Sequence, residues 1–142
     1  MADNTFKTGE RLKSRHEIDR LFAGKSQSFS QYPLRLVWQE MEYARSDFPI
    51  QLAISVPKRR FKKAVDRNKI RRLVRESYRL RKGDLYEQLP SEKPQMAWMI
   101  IYVGKKKENF LTIDKTMAKL MKRFLNKIKI KNQTNQLDSD QF

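Results

Sequence analysis

Ala64-Val65-Asp66-Arg67-Asn68-Lys69-Ile70-Arg71-Arg72-Leu73-Val74-Arg75-Glu76-Ser77-Tyr78-Arg79 decides the reading of this chain of 142 residues. At a helical step of ~100° per residue the stretch divides into two faces. Ile70, Leu73, Val74, Ser77 and Tyr78 fall on one side, and Asn68, Arg71, Arg72, Arg75 and Arg79 on the other. The first face can be buried while the second points a row of guanidinium groups at solvent. Arginine donates in a rigid planar fork that matches phosphate oxygens. Such a helix is suited to lie against a polyanion.

The charge around it sharpens that expectation. Lys and Arg outnumber Asp and Glu by 32 to 16, a net charge of +16. Residues 58–82 hold 13 of those cations against only Asp66 and Glu76, so +11 of the +16 sits in one segment. A surplus that local points to a binding surface, for nucleic acid or another anionic surface, rather than to general solubility. The chain has no cysteine, which excludes disulfides and thiolate metal sites. No apolar run approaches the ~20 residues that span a bilayer. Met1-Ala2-Asp3-Asn4-Thr5 lacks a charged start followed by an apolar stretch, so the expected location is the cytoplasm.

Working outward from the arginine helix, Asp66 is expected to cap it, and Gly83 to close it after about Lys82. Upstream, Gln51 to Val56 alternates as a strand that Pro57 ends, followed by a basic loop from Lys58 to Lys63. Leu34, Leu36 and Trp38 alternate in another strand, and residues 41–49 read as its connection onward. A third early strand is expected within 41–49 or split from 32–40, while Lys25 to Gln31, polar and Ser-rich, reads as a loop. Ser14 precedes Glu17 at capping-box spacing, so a short helix should carry Ile18, Leu21 and Phe22 on its apolar side and stop at Gly24.

Downstream, Met96 to Val103 is almost wholly apolar and reads as a central strand covered on both faces. A final helix is expected from near Thr112, with Ile113, Met117, Leu120, Met121, Phe124, Leu125 and Ile128 as its buried stripe. Residues 131–142 are polar and expected to be disordered, leaving one domain over residues 1–130.

The residues of a self-contained enzyme are hard to find. His16 is the lone histidine, too few for most zinc sites. Glu40, Glu42 and Asp47 cluster near a turn without metal-binding register. Four glycines form no phosphate-cradling loop, and no serine has an evident base partner. No catalytic or metal-ligating residue is therefore expected on this chain, and the sequence argues for binding.

Arg67-Asn68-Lys69, followed by Arg72, Arg75 and Glu76, resembles the Arg-Asn-Arg motif of the bacterial ribonuclease P protein subunit. Ile54-Ser55-Val56-Pro57-Lys58-Arg59 resembles that family's strand ending in Ser-Lys-Lys. Arg11-Leu12-Lys13, followed by Ile18 and Leu21-Phe22, resembles its N-terminal segment and first helix. Three positions depart from the pattern: Lys69 replaces an arginine, Phe61 stands where glycine is common, and Gly104-Lys105-Lys106 replaces the usual arginine after the last strand.

The resemblance, over about residues 9–128, implies a small single-domain α+β sandwich, α-β-β-β-α-β-α, like the second domain of ribosomal protein S5 with a left-handed βαβ crossover. It implies a chain that supplies no catalytic group. Instead it assists a catalytic RNA, which uses Mg2+, in removing the 5′ leader of precursor tRNA. Carried over by position, Lys58, Arg59, Arg67, Asn68, Lys69, Arg71, Arg72, Arg75 and Arg79 would face the RNA subunit. Ile18, Phe22, Arg35 and Ser55 would line a cleft for the leader, Phe22 by stacking bases and Arg35 by holding backbone. The partners implied are the RNA subunit and precursor tRNA, with no membrane and no protein partner required. A ribosomal or RNA-chaperone binding protein of the same fold type is the alternative. A DNA-binding module fits less well, because the helix offers few base-reading Gln or Asn and no helix-turn-helix partner. A protein-only nuclease fits least, given the scarcity of acids and histidine.

Overall fold

The computed structural model describes residues 5–140, with side chains described as far as residue 129. A 3-10 turn (Thr8–Glu10) leads into α1 (Arg15–Leu21), β1 (Gln27–Gln31), β2 (Leu34–Glu40), β3 (Ile50–Ser55), α2 (Ala64–Glu87), β4 (Met96–Tyr102) and α3 (Phe110–Asp140). This is the α-β-β-β-α-β-α order. The strands form one sheet in the order β1-β2-β4-β3. β4 lies inside it, antiparallel to β2 and parallel to β3, so α2 is the crossover of a β3-α2-β4 unit.

The sheet has two unequal faces. Leu36, Trp38, Leu52, Trp98, Ile100 and Tyr102 meet Ile70, Val74 and Tyr78 of α2 and Ile113, Met117, Leu120 and Phe124 of α3 in the main core. The opposite face carries a smaller cluster of Leu12, Leu21, Val37, Met41, Ala97 and Met99, beneath α1. Alternate residues of β4 therefore serve both clusters, which is why its sequence is almost wholly apolar.

Four expectations change. The third early strand lies in neither 41–49 nor 32–40; it is β1, inside the stretch read as a loop. Only Phe29 of its five residues is buried, because β1 is an edge strand whose outer face carries Ser28 and Ser30. Asp66 is not the cap of α2. The helix starts earlier, with Lys63 at the N-cap position, and Asp66 sits in the first turn, where it accepts from Lys107 Nζ at 3.0 Å. α2 also continues through Gly83 to Glu87, because Lys82 and Leu85 extend its buried face. α3 begins at Phe110, with Asn109 Oδ1 accepting from the Thr112 amide at 2.9 Å. The expected tail, residues 131–142, lies beyond the described side chains. Gly24 follows α1 with φ of +100°, a backbone state that favours glycine.

Candidate nucleic-acid interface

Lys58 and Arg59 lie exposed in the loop before α2, together with Arg60, Lys62 and Lys63. That loop is fixed from below. Phe61 is buried against the Tyr102 ring, 5.7 Å between centroids, so the residue that departs from the family pattern anchors the loop in the core. Arg67 fixes it from above. Its Nη1 donates to the carbonyls of Phe61 (2.8 Å) and Lys62 (2.9 Å). Part of the Arg67 guanidinium is thus spent on the protein itself.

Asn68, Arg71, Arg72 and Arg75 follow along the solvent side of α2. Asn68 Oδ1 accepts from Arg71 Nη1 at 2.8 Å, which orients that guanidinium. Arg75 is half-buried. Burial first, then the nearby guanidinium groups of Arg11 and Arg71, push its pKa below the ordinary arginine value. Among the described residues no carboxylate stands within ion-pair distance of Arg11, Arg71, Arg72 or Arg75. Arg11, which the sequence did not mark as an RNA contact, also rests over the Phe6 ring at 5.3 Å. It reaches α2 because the segment before α1 runs along β3, with the Leu12 amide bonded to the Leu52 carbonyl at 2.9 Å.

Two candidates differ in character. Lys69 is exposed on the flank facing the β4–α3 loop, in a groove shared with Lys107 and Asn109. Arg79 is turned onto Glu76 through bonds of 2.6 and 3.0 Å, which holds its pKa above the ordinary arginine value. It is neutralised where Arg75, one turn earlier, is not.

Of the four cleft candidates, Arg35 and Ser55 lie on the sheet face that α1 only partly covers, and Ile18 and Phe22 belong to α1 and its C-cap. Strand register aligns Ser30, Arg35, Ile101 and Ser55 in one row across β1, β2, β4 and β3. Arg35 lies flat along it, donating to Ser28 Oγ (2.8 Å) and Ser30 Oγ (3.2 Å). Glu17 and Arg20 of α1 reach back to the Glu40–Glu42 end of the sheet. Ile18 and Phe22 project from the opposite flank of that helix. Ile18, like Ala53 and Ile101, packs against the smaller buried cluster, whereas the Phe22 ring is 59% exposed. The sheet face left open beside α1 is a shallow trough with the Arg35 cation in its floor, and the exposed Phe22 ring stands at the C-terminal end of the helix that borders it.

His16, Glu17 and Glu42 are the described residues that could gather around a metal ion, with ligand atoms within 4.8 Å of one another. The Arg20 guanidinium already occupies that position, 2.7 Å from Glu17 Oε2 and 3.7 Å from Glu42 Oε1. A bound Mg2+ would have to displace a fixed positive charge, so these residues do not fit one. No described helix is long and apolar enough to cross a membrane.

Comparison with known proteins gives the family. Residues 6–125 match the family described as Ribonuclease P. The ribonuclease P protein component of Porphyromonas gingivalis is 37% identical over 114 residues, covering 80% of this chain and 82% of that protein. The solved ribonuclease P protein of Thermotoga maritima superposes with a TM-score of 0.60 at 26% identity, covering 80% of this chain and 96% of that one. A Staphylococcus aureus ribonuclease P protein shares the fold at 24% identity with a TM-score of 0.60, covering 80% of this chain and 93% of that one. A basic α2 face and a half-open sheet thus belong to a chain that is a member of the ribonuclease P protein family.

Proposed function

We propose that the loop at 58–63, Arg11 and the first half of α2 grip the ribonuclease P RNA, while the sheet trough holds the single-stranded 5′ leader of precursor tRNA. The chain, residues 1–130 as one RNA-binding domain, thereby assists endonucleolytic removal of the leader. The chemistry and its Mg2+ belong to the RNA subunit, and the cytoplasm is where the two meet.

The observation that carries the reading is the trio Arg11, Arg71 and Arg75. Arg75 lies close enough to Arg11 and Arg71 to be repelled by both, and among the described residues no carboxylate stands at ion-pair distance from any of the three, so a polyanion would relieve the repulsion. Arg71, Arg72, Arg75, Lys58, Arg59 and Lys69 would neutralise phosphates. Asn68 would set register by holding Arg71, and Arg67 would act mainly by shaping the loop. In the trough, Phe22 offers a stacking face, Arg35 a backbone contact, Ser55 a polar floor and Ile18 an apolar wall.

Reconstitution with the cognate RNA tests this. Precursor tRNA cleavage at low Mg2+ should require the protein, and Arg71→Ala with Arg75→Ala should weaken RNA binding and flatten its salt dependence by roughly 0.7 to 0.9 per lost phosphate contact. A ribosomal or chaperone protein of this fold would leave cleavage unchanged. Unaltered affinity across several salt concentrations would remove α2 as the contact surface.

A further inference from the structure

The cations of this chain divide by whether a carboxylate answers them. In the second half of α2 they are answered: Arg79 by Glu76, Arg81 by Asp114 at 2.8 Å, and Lys82 by Glu10 at 2.6 Å. On α3 they are not. Lys115, Lys119, Lys122, Arg123, Lys127 and Lys129 are all exposed, and no acid lies between residues 115 and 129. Among the described residues none of the six has an ion-pair partner. The nearby acid of α3, Asp114, faces α2 and is consumed by Arg81 and Ser77.

A helix face that serves only solubility mixes signs, because like charges at i,i+4 repel and Glu–Lys pairs at that spacing attract. This one stacks Lys115 on Lys119, Lys119 on Arg123, and Arg123 on Lys127. Lys115, Lys119, Lys122 and Lys129 form one stripe about 20 Å long at 1.5 Å per residue. Arg123 is fixed beside it: Nη1 donates to the Ser30 carbonyl (2.7 Å) and Gln31 Oε1 (3.0 Å), and the guanidinium rests 4.3 Å over the Phe29 ring. Its remaining donors are held in place before any ligand arrives.

We infer that the exposed face of α3 is a second, separate phosphate-binding surface, and that its ligand is the backbone of double-helical RNA. The neutralised half of α2 divides it from the first surface, so the protein would bridge two segments of the ribonucleoprotein; the inference rests on the RNA-binding reading above. The choice of duplex follows from what the stripe lacks. The rings along it, Phe29 and Phe124, are buried, and the exposed Tyr32 near its N-terminal end is tied through its hydroxyl to the Lys105 amide at 3.4 Å, so the stripe itself presents no aromatic face to stack an unpaired base as Phe22 does.

Backbone footprinting of the cognate RNA subunit with the full-length protein, combined with salt titration, decides the matter. The unaltered protein should protect two separate patches. Lys115→Gln, Lys119→Gln, Lys122→Gln and Lys129→Gln together should erase one patch, spare the other and reduce the salt slope by about 2 to 4. The corresponding Lys→Arg set should keep both patches. A single protected patch with the unaltered protein overturns the inference even if the glutamine variant fails to fold. So does a glutamine variant with unchanged slope and footprint. If the Arg71→Ala, Arg75→Ala protein still shows the α2 effect, the first reading survives that failure; if neither set alters binding, both fall.

Discussion

Replacing Lys82 with methionine should destabilise the free protein by about 3–5 kcal/mol. Lys82 Nζ donates to Glu10 Oε1 and to the Thr5 carbonyl, both at 2.6 Å, and its side chain is 5% exposed. Glu10 is fully buried, and its other oxygen accepts from the Tyr86 hydroxyl at 3.2 Å. That phenol is bonded in turn to Tyr78 at 2.9 Å, and burial raises the pKa of both tyrosines. Without the ammonium, a buried carboxylate keeps one neutral donor and loses its counter-charge. A domain of this size has about 5–15 kcal/mol in hand, so the loss is a large share of the whole. Urea unfolding followed by tryptophan fluorescence is a direct assay, since Trp38 and Trp98 are both in the core. With a slope of about 1–3 kcal/mol per molar, the midpoint should fall by about 1 to 5 M, or the protein should be unfolded outright. The double variant Glu10→Gln, Lys82→Met removes both charges and should recover most of the loss. A single-variant loss under about 1 kcal/mol, or a double variant as unstable as the two singles summed, would refute the claim that this pair clamps the N-terminal segment to α2.

Gly83→Ala should stabilise by about 0.5–1 kcal/mol, because a Cβ there meets nothing and the residue lies inside a helix; a lower melting temperature would contradict that. Asp114→Ala should cost about 1–3 kcal/mol at neutral pH by orphaning the buried Ser77 hydroxyl and releasing Arg81. The Arg81 bond holds the Asp114 pKa below the ordinary carboxylate value, so the wild-type contribution is present above about pH 4. It should fade as pH falls through the lowered value, and unfolding curves for the two proteins that stay parallel down to pH 2 would show that the ion pair is not the cause. Phe22→Ala should weaken precursor tRNA binding more than mature tRNA binding in the reconstituted enzyme, by about 5- to 100-fold for one lost stacking contact; equal losses would point to folding instead. Arg79→Ala should change the salt slope for RNA much less than Arg72→Ala, and equal changes would mean that Glu76 releases Arg79 on binding.

Most elements were legible because their burial is periodic. β2, β3 and β4 bury alternate or continuous apolar residues, and α2 and α3 carry stripes that repeat at helical spacing. β1 was not, since an edge strand with one buried residue has no periodicity to read. Its serines also had no visible purpose until Arg35 was seen lying across them. The true end of α2 was hidden by Gly83, which marks a helix end in sequence but is only an open position in a longer helix. Asp66 misled for a related reason: its chemistry suits a cap, but Lys107, 41 residues away, claims it.

The candidate site shows where such reading stops. Arg75 and Arg79 are the same residue type on the same face, one turn apart, and sequence gives them equal weight. Glu76 stands beside both in the chain, yet it bonds Arg79 and leaves Arg75 with two other arginines. Arg11 joins that group only because the segment before α1 pairs with β3, a contact across 41 residues. A count of Lys and Arg therefore locates a cationic segment without locating its free charge. Free charge is a property of the fold, since each carboxylate neutralises the cation the chain path brings to it. The free cations of α2 accordingly end near Arg75 rather than Lys82, and among the described residues the next helix to carry a row of unpaired cations is α3.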